Sequence, residues 1–357
     1  MSHTVPPVLR RPCIVPPYVL EHLAEHGPDP EVREAARRSL LSSIAVRAHR
    51  VAVASLAGVS SSPTNGRRSI FDFQHRTRLS SAVLVRTEDG PASGDQAVNR
   101  AFEGLGVTRD FYQQVLQRNS IDGKGMRMNG YVHRGRKFNN AFWDGREMQF
   151  GDGDGVLFTD FTGSLDVIAH ELTHGVTQFT ANLDYENQSG ALNESISDVF
   201  GSVVKQWKLG QTAEQADWLI GADIFTPAVG GDALRSMKAP GTAYDNPQLG
   251  KDPQPDHMSR FVHLPNTPED DNGGVHINSG IPNKAFYLVA SSIGGNAWEA
   301  PAHIWYESLE ASVNTTDFQR FADTTYVTAG RLYGTGGPQQ KAVVAAWDGV
   351  GITVTQS

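Results

Sequence analysis

Apolar residues recur three and four positions apart over residues 18–26, with Leu20, Leu23 and Ala24 on one side. This predicts a short helix from Tyr18 to His26 that stops at Gly27. A second helix opens at Asp29-Pro30-Glu31, where Asp29 can cap the first turn and Pro30 suits the first helical position. It runs through Val32, Ala36, Leu40 and Leu41 towards Val46, whereas residues 1–15 are Pro-rich and read as extended. From Val51 to about Val85 apolar residues tend to alternate and Gly, Ser and Pro punctuate them, which predicts short strands and turns. Helical spacing returns over 93–118 through Val98, Ala101, Phe102, Leu105, Phe111, Val115 and Leu116. Residues 125–158 read as strands and close on the turn signal Gly151-Asp152-Gly153-Asp154-Gly155. From Leu165 onward helical periodicity dominates. The predicted class is α+β: a helical segment over 1–50, a strand-rich lobe over 51–182 and a helical lobe over 183–357.

Composition narrows the function. With 39% hydrophobic and 9% aromatic residues the chain can pack a core. A net charge of −8 argues against a nucleic-acid partner, which needs clustered positive charge. The single cysteine, Cys13, excludes an intramolecular disulfide and any Cys-based zinc or redox motif. No stretch approaches the roughly 18–20 apolar residues of a membrane span, so no membrane partner is expected. The start, Met1 to Pro7, lacks a signal-peptide pattern. The expected location is cytoplasmic, or exported without a conventional signal peptide.

Residues 165–178 read LDVIAHELTHGVTQ, with Val167, Ile168, Leu172 and Val176 at helical spacing. His170 and His174, four apart, share one helix face, and Glu171 stands beside them. In this H-E-x-x-H pattern two imidazoles hold zinc and the glutamate takes a proton from water. An ordinary amphipathic helix with two satisfied histidines is the alternative for these five residues. The next helix decides between them. Residues 190–201 read GALNESISDVFG, placing Glu194 as a third ligand and Asp198 one turn further on, where it can accept a histidine ring N–H. A solvated face fits these acids poorly, because Leu192, Ile196, Val199 and Phe200 surround them.

HELTHGVTQ followed by ALNESISDVFG resembles the thermolysin family of zinc metallopeptidases. The likeness extends through NNAFWDG (139–145), GDGDG (151–155), GDALRSM (231–237) and DNGGVHINSGIPNKAFY (271–287). It implies a two-lobed fold, with zinc between the lobes held by His170, His174 and Glu194. It implies Glu171 as general base, with His276 and Tyr185 stabilising the oxyanion. Asp198, Asn193 and Asp271 would orient the histidines. Asn140 and the Ala141 carbonyl would bind the substrate backbone, and Arg235 a substrate carbonyl. Phe158, Phe161, Val167, Ile220, Ile224 and Leu234 would line an apolar pocket just after the scissile bond. The activity implied is a neutral metalloendopeptidase cutting on the amino side of bulky apolar residues.

Residues 1–50 resemble the short prosegment of the protealysin-like branch, with Pro16-Pro17-Tyr18 as its Pro-Pro-apolar element. The implied partners are peptide or protein substrates, the chain's own prosegment as inhibitor, and a dedicated protein inhibitor. Cleavage is expected near residues 40–55. A helical hairpin that merely covers the lobe is the alternative. Cys13 reads as a small buried hydrophobe; a thiolate on zinc's open position is the alternative. Where secreted relatives carry acids for a double calcium site, this chain has Lys205, Leu219 and Ala222, leaving Asp166, Asp217 and Asp223. That site is expected to be lost, with Lys205 pairing the aspartates. A smaller site near Thr226 and Asp232 is left open. A non-catalytic peptide-binding module is the rival class, and the intact Glu171, His276 and three ligands count against it.

Overall fold

The computed structural model describes residues 13–53 and 65–355. The chain enters as an extended stretch at Cys13 and turns into α1 (Pro17–His26), which buries Val19, Leu20 and Leu23. The Gly27 N–H closes α1 on the Leu23 carbonyl at 2.9 Å, and any Cβ at Gly27 would stand 2.6 Å from that same oxygen. Asp29 Oδ1 accepts from the N–H groups of Glu31 and Val32 at 2.8 and 2.9 Å, opening α2 (Pro30–Val53). The helix continues past the predicted stop near Val46 and takes in Val51 to Val53, which the alternation assigned to a strand. Extending an existing helix adds a hydrogen bond per residue fixed, and the Ala and Arg residues over 45–52 favour it; three alternating positions cannot outweigh that. Residues 1–12 and 54–64, with the strand reading and much of the extended reading placed on them, lie outside the described residues.

The strand-rich lobe holds β1 (Arg68–Asp72), β2 (Val83–Thr87), β3 (Met128–Val132), β4 (Ala141–Trp143) and β5 (Met148–Phe150), in the order β2-β1-β3-β5-β4. β1 and β3 run parallel, so the chain must cross over between them, and it does so through α3 (Gln96–Val115). β4 pairs antiparallel with β5 and forms the edge of the sheet.

Two long helices follow, α4 (Leu165–Gln178) and α5 (Asn187–Leu209). Every residue of α4 from Asp166 to Thr177 is buried, so this helix is enclosed on all sides rather than amphipathic. α5 comes close enough that a Cβ at Gly201 would stand 2.7 Å from the Asp166 carbonyl oxygen. The helical lobe is completed by the two-residue pair β6 (Leu219–Ile220) and β7 (Arg235–Ser236), then α6 (Asp271–Asn278), α7 (Gly280–Ile293), α8 (Ala300–Glu310), α9 (Phe318–Tyr333) and α10 (Pro338–Gly349). Its core is aromatic: Trp305 and Trp347 stack at 6.1 Å between ring centres, and Phe286 meets Trp305 edge-on at 5.0 Å. Fully burying such side chains stabilises the fold by roughly 1.5–3 kcal/mol each.

Candidate metal centre and cleft

Helix periodicity puts His170 and His174 one turn apart on α4, and α5 brings Glu194 against them. The two Nε2 atoms are 3.0 Å apart; Glu194 Oε2 lies 3.5 Å from His170 Nε2 and Glu194 Oε1 3.6 Å from His174 Nε2. The far side of each ring fixes its tautomer. His170 Nδ1 is 2.8 Å from Asp198 Oδ1, and His174 Nδ1 is 2.8 Å from Asn193 Oδ1, an amide oriented by its own Nδ2 donating to the Leu183 carbonyl. With protons on both Nδ1 atoms, both Nε2 atoms present lone pairs to one another and to a carboxylate. Glu194 Oε2 is buried there with no hydrogen-bond partner. Such convergence of two lone pairs and an anion at 0–3% exposure is costly without a cation. Two nitrogens and one carboxylate oxygen are a donor set that fits zinc and leaves a position open. Among the described residues, this is the group of three His, Cys, Asp or Glu side chains whose ligating atoms gather within 4.8 Å.

Asp198 does more than meet His170. Its carboxylate receives both Nε and Nη2 of Arg235 at 2.8 and 2.9 Å, and Nδ2 of Asn283 at 2.9 Å. Burial works to raise its pKa, but Arg235 and His170 outweigh burial and hold the group well below the usual carboxylate range. Glu171 is treated differently. Burial pushes its carboxyl well above the ordinary value, opposed by the Trp143 N–H that donates to Oε2 at 2.8 Å. The other oxygen, Oε1, is buried with no partner.

His276 and Tyr185 face the same space. Tyr185 Oη donates to Glu194 Oε1 and lies 3.3 Å from His276 Nε2. Asp271 receives the His276 backbone N–H at 2.8 Å and sits 2.5 Å from ring Nδ1. It reaches both because residues 271–274 turn through left-handed conformations before α6 becomes regular. Burial lowers the His276 pKa; the charges of Asp271 and Glu194 outweigh it and hold the ring above its ordinary value.

Residues 13–15 lie across this cleft as an added strand. The Ile14 N–H donates to the Ala141 carbonyl on edge strand β4 at 3.3 Å, and the Val15 N–H donates to Asn140 Oδ1 at 3.0 Å. Asn140 Nδ2 returns a bond to the Val15 carbonyl at 3.2 Å, and Arg235 Nη1 donates to the Ile14 carbonyl at 3.0 Å. The Cys13 carbonyl oxygen is 3.2 Å from His276 Nε2. The Cys13 side chain is buried among Phe138 and Phe142. Proline rigidity explains the extension: Pro16 holds ψ at 151° and Pro17 starts α1.

Phe158, Phe161, Val167, Ile220, Ile224 and Leu234 are all at most 2% exposed. Phe158 and Phe161 rings are 5.8 Å apart, Leu234 N–H donates to the Ile220 carbonyl, and Thr159 N–H donates to the Ile224 carbonyl. Several participants escaped the sequence reading. They are the Trp143 N–H on Glu171, Ser197 Oγ at 2.9 Å from His174 Nδ1, and Asn283 on Asp198. A backbone donor has no residue signature, but a Ser one turn after Asn193 on α5 could have been found by helical spacing.

At the position of the expected lost calcium site, Lys205 Nζ is 3.2 Å from both Asp166 Oδ2 and Asp217 Oδ2, and 3.9 Å from Asp223 Oδ2. Burial lowers its pKa, but the three carboxylates outweigh burial and raise it. Leu219 opens β6 and Ala222 opens the short helical turn that follows it. Thr226 donates its hydroxyl to the Val156 carbonyl, and the Asp232 N–H donates to the Ala243 carbonyl.

Fold and site together define a two-lobed metallopeptidase. The model of the thermolysin metallopeptidase catalytic domain matches residues 60–178, and that of the thermolysin metallopeptidase alpha-helical domain matches residues 181–352. The chain belongs to the thermolysin family. It is 47% identical over 347 residues to an extracellular metalloprotease of Pectobacterium carotovorum subsp. carotovorum, covering 96% of this chain and 97% of that one. It is 48% identical over 291 residues to Protease PrtS of a Photorhabdus species, covering 81% and 77% respectively. Among solved structures it is similar to the precursor of protealysin, a metalloproteinase from Serratia proteamaculans. The TM-score is 0.86 at 44% identity, over 96% of this chain and all of that one. The enzyme is therefore a hydrolase of the thermolysin family of metallopeptidases.

Proposed function

We propose that this metallopeptidase is an endopeptidase that cuts on the amino side of bulky apolar residues, and that residues 1 to about 50 hold it latent. The observation carrying this reading is the ladder made by Ile14 and Val15 on Ala141, Asn140 and Arg235, with the Cys13 carbonyl at His276. A substrate bound in the same direction would present the same backbone groups. Ile14 stands where the residue after the scissile bond would lie, which favours an apolar side chain there. The pocket residues Phe158, Phe161, Val167, Ile220, Ile224 and Leu234 carry no charge to receive Lys or Asp.

His170, His174 and Glu194 would hold zinc, which would supply Lewis acidity to polarise a carbonyl and acidify water. Glu171 is the general base: its carboxylate accepts a proton from water and passes one to the leaving amine at the place now taken by the Ile14 nitrogen. His276 Nε2 and Tyr185 Oη donate to the carbonyl oxygen as it gains charge; such a donor is typically worth about 3 kcal/mol of barrier. Asp198, Asn193 and Asp271 keep the three rings in their working tautomers. Arg235 and Asn140 hold the backbone so that the bond cannot slide. Lys205 replaces the family's double calcium site, so calcium is not needed there. The likeness to an extracellular metalloprotease supports action outside the cell, and a protein inhibitor would dock on the same edge strand β4.

The test is incubation of the zinc-loaded full chain, followed by intact mass, with a proteome digest read by mass spectrometry. We expect latency until the chain is cut near residues 40–55, and cleavage sites followed by Leu, Ile, Phe or Val. Full activity in uncut protein would remove the latency reading. Sites followed by charged residues would remove the specificity reading.

A further inference from the structure

Arg134 follows β3 and is 6% exposed. Among the described residues it forms no ion pair. Its guanidinium lies 5.7, 5.5 and 5.1 Å from the ring centres of Phe73, Phe138 and Phe142. Nη1 is satisfied from within the lobe, by the Thr77 carbonyl at 3.1 Å and Gln149 Oε1 at 2.8 Å. The opposite edge is not. Nη2 meets Ser42 Oγ of α2 at 3.2 Å, and Nε is buried with no partner. Phe138 and Phe142 are also the two residues that enclose the Cys13 side chain, and the Cys13 thiol is close enough to act on the guanidinium electrostatically. Burial pushes the Arg134 pKa down to about 10, opposed by Asp144 and Cys13.

We propose that Arg134 is a specificity-determining residue of the mature enzyme, selecting a carboxylate side chain, Asp or Glu, immediately before the scissile bond. This rests on the reading of Cys13-Ile14 as the place of that bond. When the prosegment leaves, Ser42 and Cys13 leave with it. Nε and Nη2 then form a two-donor edge in the aromatic box where the Cys13 side chain lay. A carboxylate matches that edge with two parallel hydrogen bonds. The Thr77 carbonyl, Gln149 and the three rings already hold the guanidinium in place, so an incoming carboxylate does not have to order it. A neutral amide of the same shape offers one acceptor and no charge. A basic side chain is repelled.

Two measurements decide this. The first compares two peptides that differ by Glu or Gln before an Ile-Val pair, cleaved by the zinc-loaded enzyme after its own processing. The expected kcat/KM ratio is about 10- to 100-fold in favour of Glu, falling towards one in Arg134→Gln. A ratio near one in the wild type, or an undiminished ratio in the variant, overturns the assignment. If cleavage instead ignores the apolar residue after the bond, the proposed function fails rather than this inference. The second needs no turnover. In the zinc-loaded full chain, with Glu171→Gln throughout to prevent cutting, Cys13→Glu is compared with Cys13→Gln. Cys13→Glu is expected to melt about 2–4 °C higher, and the gap to close when Arg134→Gln is added. No gap, or one that survives Arg134→Gln, overturns it. Should Arg134→Gln not fold, the gap and the peptide ratio with Arg134 intact remain decisive.

Discussion

Replacing Lys205 with Met tests whether one ammonium does the work of a cation cluster. Its partners differ sharply in exposure: Asp166 side chain 0%, Asp217 47% and Asp223 56%, with Lys205 itself at 13%. The two exposed carboxylates each contribute about 0.2–1 kcal/mol at most. Asp166 dominates, because stripping the partner from a buried charge typically costs about 3–5 kcal/mol. The Ser164 hydroxyl that also donates to Asp166 relieves part of this, so about 3 kcal/mol is a fair expectation. For a chain of 357 residues that is a fall in Tm of about 4 °C. The assay is thermal unfolding by circular dichroism with zinc saturated and a calcium-selective chelator present. Adding Asp166→Asn should recover part of the loss, since the two sites are in contact. A fall below about 2 °C, or a wild type that calcium stabilises strongly, would refute the reasoning.

Other expectations follow from the same geometry. Glu171→Gln should abolish peptide hydrolysis while zinc content by metal analysis stays at one per chain; retained turnover would exclude the general-base role. Asp198→Ala should weaken zinc binding about 10–100-fold in a competitive chelator titration, because His170 loses its fixed tautomer. Undiminished affinity would place the orienting role elsewhere. His133 is 2.8 Å from both Asp152 Oδ1 and Asp95 Oδ2, and its bond to Asp152, aided by Asp95 against burial, raises its pKa to about 9. A raised value means stability is fully present below the unfolded histidine's pKa and is lost as pH rises through about 9. Between pH 7 and 10 the melting temperature should therefore fall less in His133→Gln than in the wild type, and parallel curves would contradict this.

The parts of the molecule that were legible in the sequence are those where local spacing equals spatial proximity. His170, His174, Asn193, Glu194 and Asp198 sit on two consecutive helices, so counting residues nearly places them. The limits of α3 and α4 could be read from the same period. Helix α2 could not, because Val51 and Val53 fit a strand as well as a helix, and chain continuity settled it. Sheet order was not legible, since nothing in β1 announces that its parallel neighbour β3 lies beyond a whole helix. The cleft occupancy was only half legible. Pro16 and Pro17 forecast an extended stretch, but that its carbonyls meet Arg235 and His276 depends on contacts more than two hundred residues away in sequence. Arg134 gave no signal, because its meaning comes from the carboxylate it lacks.

The strand of residues 13–15 is joined to the body it occupies only through the chain between α2 and β1. While that connection is whole, rebinding is a unimolecular event, at an effective concentration on the order of millimolar for a short tether. A single cut there changes no contact in the cleft. It converts the occupant into a separate ligand whose return depends on how much protein is in the tube. Activity after the cut should then depend on dilution: a concentrated sample stays largely silent, and the same molecules become active when spread through a larger volume.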